Sequence, residues 1–545
     1  MSARVIALKE SDERADARVR VTWTVPRFGR FSYETRLPLR PAGDAWTVAW
    51  RPTAIHPRLD ADSRLGTVRT AARRGRILDR DGRALVTDRA VVDVTVEVRR
   101  VRDPAVTARR LAALVDVDAR RLTRAIRRAR RGQFVPVITL RRAAYDRIAD
   151  RLQALRGVSL LAGKAPLAPS KGFGRAVLGT VAAATAEQLE RLGNAYGPGD
   201  EIGQWGLQSV FEKRLAGIET GEVVIRSTAD RAVLARLARK PGRDGRSLRT
   251  TLDRDAQAAA EQALGSGRRN AALVAVQPSS GDVLAAANRP LDSSLNRAFE
   301  GRYPPGSTFK VISTAALLRD GLDVDATVAC PPTATVDGRA FRNFEGRARG
   351  SVPFRTDFAE SCNTAFVSLA DRLEAGALTD VARSFGLGRA LHLALPAAQG
   401  SVPAATDPVA RAAMMIGQDR ILASPLQMAG VAATVAAGRW RAPRLASGDP
   451  QAAGSPLPAA RVATLRELMR AVVSSGTGTA LADIRGAPAG KSGTAEYGGG
   501  DPPPTHAWFI ALRGDLALAV LVEGGRAGGT VAAPIAARFF RALDG

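Results

Sequence analysis

Ser307 and Lys310 stand three residues apart, directly after Tyr303-Pro304-Pro305-Gly306 and ahead of the apolar run Val311, Ile312, Ala315, Ala316, Leu317 and Leu318. Pro-Gly before a serine and an apolar run reads as a helix start, which puts the serine in the first helical turn. Residues three apart are neighbours on a helix face, so the lysine amine can lie beside the serine hydroxyl. The helix N-terminus adds free N–H groups and partial positive charge where an alkoxide or oxyanion would form. A nucleophile, a candidate base and a polarising element thus fall within four residues. Only three histidines are present, His56, His392 and His506, which raises the weight of lysine as the base.

Two further short stretches carry chemistry. Ser361-Cys362-Asn363 lies about fifty residues on, and Lys491-Ser492-Gly493-Thr494 precedes a pair of apolar strands near the C-terminus. The other candidates read as structural: His506 and Glu496 as framework residues, Cys362 as a small apolar filler. The two cysteines, Cys330 and Cys362, make neither a disulfide framework nor a metal site, and the sequence leaves open whether they pair. No cofactor is called for.

The elements that must position these residues can be read along the chain. With 545 residues the chain is too long for one core. Period-two alternation at 18–25, 31–40 and 46–50 predicts a small antiparallel sheet in the first sixty residues. Ala90 to Val98 and 134–140 read as strands, and 104–131 and 141–156 as helices. The run Arg120, Arg121, Arg124, Arg127, Arg128, Arg130 and Arg131 reads as a solvated helix face. The breaker-rich stretch 238–247 reads as a linker. Beyond it come a strand at 248–252, a helix at 254–265, a hairpin from Ala271 to Ala287, the Ser307 helix, further helices, strands at 507–512 and 516–523, and a terminal helix from Ala533. This order predicts α+β architecture with an antiparallel sheet.

Charge and hydropathy bound the function further. Lys+Arg number 80 against 53 Asp+Glu, a net charge of +27. The excess is carried by arginine in an Ala/Arg/Gly-rich chain. It reads either as a trait of composition or as attraction to an anionic surface such as a wall polymer or lipid headgroups. No aromatic-interleaved basic module or zinc pattern points to nucleic acid. No apolar run of 18 residues or more and no leader peptide is visible.

Ser-x-x-Lys, Ser-x-Asn and Lys-Ser/Thr-Gly in this order are the signature of penicillin-recognising serine enzymes. Any one alone is weak; three in order are not. Around them the chain resembles class B penicillin-binding proteins, the monofunctional peptidoglycan D,D-transpeptidases. Arg74 to Gly82 is similar to the opening of their pedestal, or dimerisation, domain. Gly206-Leu207-Gln208 to Leu215-Ala216-Gly217 resembles a stretch of that domain, and Gly417-Gln418 with Ser424 to Ala429 a stretch of the transpeptidase domain. Trp46 to Trp50 with Ile55-His56-Pro57 resembles the end of the nuclear-transport-factor-like domain of low-affinity, methicillin-resistance-type members. Asp419 stands where many relatives have glycine, and Gln208 where many have glutamate.

The resemblance implies a multidomain α+β protein with a partial nuclear-transport-factor-like domain over 1–66, a pedestal domain over 67–247 and a serine β-lactamase-like transpeptidase domain over 248–545. It implies that Ser307 attacks the D-Ala-D-Ala carbonyl of a peptidoglycan stem peptide and that Lys310 takes the proton. Ser361 would relay it to the leaving nitrogen, Asn363 hold the substrate amide, and Lys491 with Ser492 and Thr494 hold the terminal carboxylate. The N–H groups of Ser307 and Thr494 would form the oxyanion hole, and Gly493 would admit the substrate closely. Expected partners are stem peptides, β-lactams and cell-wall synthesis or division proteins, at the outer face of the plasma membrane. A β-lactamase or a catalytically silent scaffold are the alternatives. Class A lacks its Glu-x-x-Leu-Asn stretch here, class D typically carries Ser-x-Val, and intact motifs speak against a scaffold.

Overall fold

The computed structural model describes residues 1–11, 13–193, 196–500 and 502–545. The chain divides into two units, each built from more than one segment. The first comprises Met1–Gly75, Val181–Gln204 and Phe211–Leu248, and the second Arg76–Thr180, Trp205–Val210 and Arg249–Gly545.

In the first unit, strands Ser2–Ser11, Arg14–Val25, Gly29–Ala42 and Ala45–Val48 form an antiparallel sheet in chain order. The alternation at 18–25 has the expected effect. Ala15, Ala17, Val19 and Val21 are buried while their neighbours face water. A second sheet sets Thr220–Ser227 between Ser63–Thr70 and Val233–Lys240. Glu212 is a hub of this unit. It accepts from Arg74 at 2.6 Å, the Tyr196 hydroxyl at 2.9 Å and the Gly203 N–H at 2.8 Å. The stretch 238–247 is not a loose linker. Its first three residues finish a strand, and a Cβ at Gly242 or Gly245 would collide with the backbone of Ile218 or Leu215.

In the second unit, the long strand Ala84–Glu97 pairs antiparallel with Phe134–Arg141 and with Val158–Leu167. The helical period at 104–131 resolves into two helices, Pro104–Ala112 and Ala119–Arg128. They are capped by Asp103 and Asp118, whose side chains accept backbone N–H groups. Arg120, Arg121, Arg124, Arg127 and Arg128 lie on the exposed face of the second, and Arg130 and Arg131 follow its end, also exposed. Residues 141–156 likewise hold two short helices rather than one.

The rest of this unit is built on a five-stranded antiparallel sheet. Its spatial order is Val283–Arg289, Ala271–Val276, Leu516–Val522, Thr505–Arg513, Ala489–Glu496. One face, with Leu273, Ala275, Phe509, Ala511, Leu518 and Val520, packs on helices Arg254–Leu264 and Gly528–Asp544. The terminal helix thus begins five residues earlier than its apolar pattern suggested. Helix Pro425–Ala437 packs across the three central strands. It opens with a capping box, Ser424 accepting from the Gln427 N–H and Gln427 from the Ser424 N–H. Many positions of the sheet are alanine: Ala271, Ala272, Ala275, Ala285, Ala286, Ala287, Ala507, Ala511, Ala517 and Ala519 are all buried. Among the described residues no helix is long and apolar enough to cross a membrane.

Candidate active site

Ser307 sits in a 3-10 turn, Gly306–Phe309, and Lys310 is the first residue of the α-helix Lys310–Arg319. This is tighter than the α-helical first turn that the spacing suggested. The turn is pinned from several sides. Gly306 N–H donates to Gly417 O at 3.0 Å, Thr308 Oγ1 to Pro305 O at 2.7 Å, and Trp508 Nε1 to Pro304 O at 2.9 Å. Gly306 adopts φ +52°, and a Cβ there would lie 2.5 Å from Thr494 O. That glycine lets the nucleophile turn meet the sheet edge. Residues 310–317 are all buried, which makes this the central helix of the domain.

Ser361 ends helix Phe354–Glu360 in the left-handed region, at φ 63° and ψ 38°. A non-glycine residue there is strained, and such strain gathers at functional sites. The turn throws its hydroxyl between two amines: Lys491 Nζ donates to Ser361 Oγ at 2.8 Å, and Lys310 Nζ lies 3.4 Å from the same oxygen. Lys310 Nζ also donates to Ser361 O and to Asn363 Oδ1, both at 2.8 Å. Ser307 Oγ is not among the partners of Lys310 in this structure, although its side chain is partly open to solvent. Substrate-free sites often hold such bonds loosely. Each lysine nitrogen faces an aromatic ring, Lys310 over Phe366 at 4.9 Å and Lys491 over Phe358 at 5.7 Å.

Lys491 lies on the edge strand Ala489–Glu496. Lys491 and Gly493 face the nucleophile turn. A Cβ at Gly493 would come within 2.9 Å of Pro305 O. Ser492 and Thr494 face the other side, where Ser492 Oγ bonds Thr477 Oγ1 at 2.6 Å and Thr494 Oγ1 accepts from Gly528 N–H at 3.4 Å. The His506 ring stacks on Tyr497 at 3.9 Å and meets Tyr303 edge-on.

Burial governs the charges. Desolvation holds Lys310 well below the usual lysine range, the Lys491 cation pushes it the same way, and Asp357 opposes both. Burial lowers Lys491 to about 7. An amine that is neutral near pH 7 can accept a hydroxyl proton, and a hydroxyl bridging two amines can pass one on.

Three supporting residues escaped the sequence reading. Asn343 Oδ1 accepts from the N–H groups of Asn363 and Thr364, at 2.7 and 3.0 Å, and so caps the helix that carries Asn363. Thr477 orients Ser492. Asp357 is wholly buried one turn before Ser361. None belongs to a motif, and only folding brings them to the site. Cys362 is no apolar filler: it forms a disulfide with Cys330. The bridge spans 32 residues and anchors the Ser361–Asn363 turn to strand Thr327–Cys330. Replacing both cysteines by alanine will lower stability by about 3–4 kcal/mol, as expected for a loop of this size, and urea denaturation monitored by fluorescence measures it. Asp419, at φ 64°, accounts for the glycine of many relatives, because aspartate tolerates the left-handed region better than most residues.

The penicillin-binding protein transpeptidase domain matches residues 271–541, the penicillin-binding protein dimerisation domain residues 69–250, and the NTF2-like N-terminal transpeptidase domain residues 4–63. The chain is 33% identical over 389 residues to peptidoglycan D,D-transpeptidase PbpA of Mycobacterium tuberculosis, covering 58% of this chain and 77% of that protein. It is 25% identical over 530 residues to peptidoglycan D,D-transpeptidase MrdA of Acinetobacter baumannii, covering 84% and 78%. A chain of a peptidoglycan synthase complex that coordinates polymerization and crosslinking superposes with a TM-score of 0.68 at 27% identity, covering 89% of this chain and 92% of that one. The fold is also that of PBP2 in its complex with MreC from Helicobacter pylori, with a TM-score of 0.67 at 21% identity over 88% of this chain and 99% of that one. The lysine-serine-lysine corner therefore sits in a familiar scaffold, and the chain belongs to the penicillin-binding protein transpeptidases.

Proposed function

We propose that this chain is a peptidoglycan D,D-transpeptidase that works through a covalent serine ester. The observation that carries the reading is the bridge of Ser361 Oγ between two buried lysine amines, beside the Ser307 turn. Ser307 Oγ bonds to the carbonyl carbon of the penultimate D-alanine as its proton passes to Lys310 Nζ. The C–N bond breaks, and Ser361 conducts that proton to the departing D-alanine nitrogen. Asn363 holds the substrate amide. Lys491 holds the terminal carboxylate, and the edge strand, with no side chain at Gly493, lets the peptide lie close. The N–H groups of Ser307 and Thr494 receive the oxyanion. An acceptor amine then attacks the ester and frees Ser307, leaving a cross-link; water in its place gives carboxypeptidase activity.

The test is to incubate the protein with D-Ala-D-Ala stem peptides and an amine acceptor and identify the products by mass spectrometry. A cross-linked product with release of D-alanine is expected. Penicillin turned over within seconds, with no cross-linking, sinks the reading in favour of a β-lactamase.

The pH dependence has a definite sign. Acylation needs Lys310 neutral, and its lowered proton affinity makes that form available far below the ordinary lysine range. Carboxylate capture needs Lys491 charged, and that charge is lost as pH rises through about 7 in the free protein. The second-order rate of acylation by penicillin will therefore rise from acid pH, peak near neutrality and fall in alkali. A rate still climbing at about pH 9 contradicts these roles.

The disulfide supports a location outside the cytoplasm, where oxidising conditions preserve it. The reading extends to attachment at the plasma membrane and to work alongside other cell-wall synthesis proteins. Support comes from the PBP2 complex with MreC and the peptidoglycan synthase complex that share this fold.

A further inference from the structure

The basic face of helix Ala119–Arg128 takes no part in the reaction just described. Twelve arginines and three aspartates fall between positions 99 and 131, with no lysine and no glutamate. In the whole chain Lys and Arg together make up 80 of 545 residues, so composition alone does not account for this density. All twelve arginines are exposed. Arg99 and Arg100 pair with Glu97, and among the described residues the other ten make no ion pair. Two of the three aspartates are turned to the backbone. Asp103 accepts from the Ala105 and Val106 N–H groups and Asp118 from the Arg121 N–H.

The helix does not need these charges to fold. Leu122 and Ile126 bury its inner face beside Ala108 and Leu111 of the preceding helix. Arg120, Arg124, Arg127 and Arg128 recur at helical spacing on the opposite face, with Arg121 beside them, and like charges so placed repel. Arg127 and Arg128 suit the last turn. Arg120 and Arg121 stand in the first, where the helix dipole disfavours cations, and the helix itself holds no acidic residue. From Arg120 to Arg128 the row runs about 12 Å, and Arg130 and Arg131 continue it past the helix end. A row of charge kept against the stability of its own helix points to something outside the protein that neutralises it.

We propose that this face binds a linear polyanion whose charges are phosphodiesters, an anionic wall polymer. A guanidinium fork takes two phosphate oxygens at once, which an ammonium does not. A flexible string of charges can follow the row and release its counterions as it binds. An anionic bilayer fits less well. Helices that lie in a membrane surface insert large apolar side chains, whereas this one keeps Leu122 and Ile126 inside and leaves Arg, Thr and Ala outside. The row lies in the stretch that matches the dimerisation domain, not in the stretch that matches the transpeptidase domain. It therefore holds the enzyme to its surroundings without touching the chemistry. The choice of a wall polymer rests on the location outside the cytoplasm proposed above; the polyanion site does not rest on the acyl transfer.

Two variants test it. In the first, Arg120, Arg121, Arg124, Arg127 and Arg128 are all replaced by glutamine, which keeps a long side chain and good helix propensity. In the second, five exposed arginines of the N-terminal sheet, Arg4, Arg14, Arg30, Arg36 and Arg40, are replaced in the same way, with the same change in net charge. Fluorescent poly(glycerol phosphate) is titrated with each full-length protein at physiological salt and its anisotropy read. The helix variant should bind about tenfold more weakly than wild type or less still, and the sheet variant within about threefold of wild type. Equal losses in the two variants would mean net charge rather than a site, and overturn the proposal. Undiminished binding by the helix variant overturns it too. So does a wild type that sediments with phosphatidylglycerol vesicles through this face but ignores the free polymer, which gives the surface to the membrane. The helix variant should melt no lower than wild type, because repulsion is relieved; a clear fall assigns the arginines to the fold and overturns the proposal. Penicillin uptake at Ser307, measured in parallel, should be equal in all three proteins, and its absence from all three overturns the acyl-transfer reading alone.

Discussion

Ser307→Ala protein will fold, and it will form no covalent adduct with a fluorescent penicillin. The turn that carries Ser307 is held by Gly306 N–H, Thr308 Oγ1 and Trp508 Nε1, none of which involves the Ser307 hydroxyl. Alanine suits a helical turn, so the melting temperature should stay within a few degrees of wild type. Acylation should fall by a factor of about 10⁴ or more, because no other group replaces the lost oxygen. Intact-protein mass spectrometry after exposure to penicillin reads the result directly. An adduct of undiminished yield on the variant would place the nucleophile elsewhere, and Ser361 would be the first residue to examine.

Lys310→Met will cost nearly as much for a different reason. Methionine follows the lysine stem in length and fits a fully buried helix position. It leaves the nucleophile in place but removes the base, and general-base catalysis is worth about 10²–10⁴ in rate. Two oxygens, Ser361 O and Asn363 Oδ1, also lose the donor that now holds them at 2.8 Å. Acylation should therefore fall about 10³–10⁴-fold, with a stability loss of about 1–3 kcal/mol for the orphaned acceptors. Lys310→Arg separates the two effects. It returns N–H donors to that position without a usable base, since a guanidinium stays protonated, and it should not recover the rate. Stopped-flow acylation together with thermal unfolding distinguishes a missing base from a damaged fold. A rate within tenfold of wild type in either variant rules Lys310 out as the base.

The parts of the site that could be read from sequence are those where chemistry is local. Ser307 and Lys310 share one turn, Ser361 and Asn363 flank one residue, and Lys491 to Thr494 run along one strand, so spacing carries the information. The sheet hairpins and the alternation of Ala15, Ala17, Val19 and Val21 were legible for the same reason. Long-range partners were not. Nothing near Asn343 says that its side chain will cap the Asn363 helix. Nothing around Cys330 says that its sulfur will meet Cys362. Asp357 looks like any polar residue of an amphipathic helix until the fold buries it. Helical period also overran the breaks: 104–131 holds two helices because residues 113–118 leave the helical path to reach the Asp118 cap. The stretch 238–247 has the composition of a tether, but its glycines serve close backbone approach rather than freedom.

The alanine-lined sheet has a consequence for how this protein can drift. Large side chains such as Leu273, Phe509, Leu518 and Val520 leave a hole when trimmed, but the many buried alanines have almost nothing to lose. The liability runs the other way. Each added methylene must be forced between close-packed layers, at about 1–3 kcal/mol. Strand Ala489–Glu496 belongs to the same sheet, so a wedge at Ala511, on the strand paired with it, or at Ala519, one strand further, would be felt at Lys491. Inherited variation in this sheet should be lopsided, tolerant of exchanges among small residues and intolerant of growth. Altered antibiotic susceptibility arising far from the catalytic motifs should therefore concentrate at enlarged alanines.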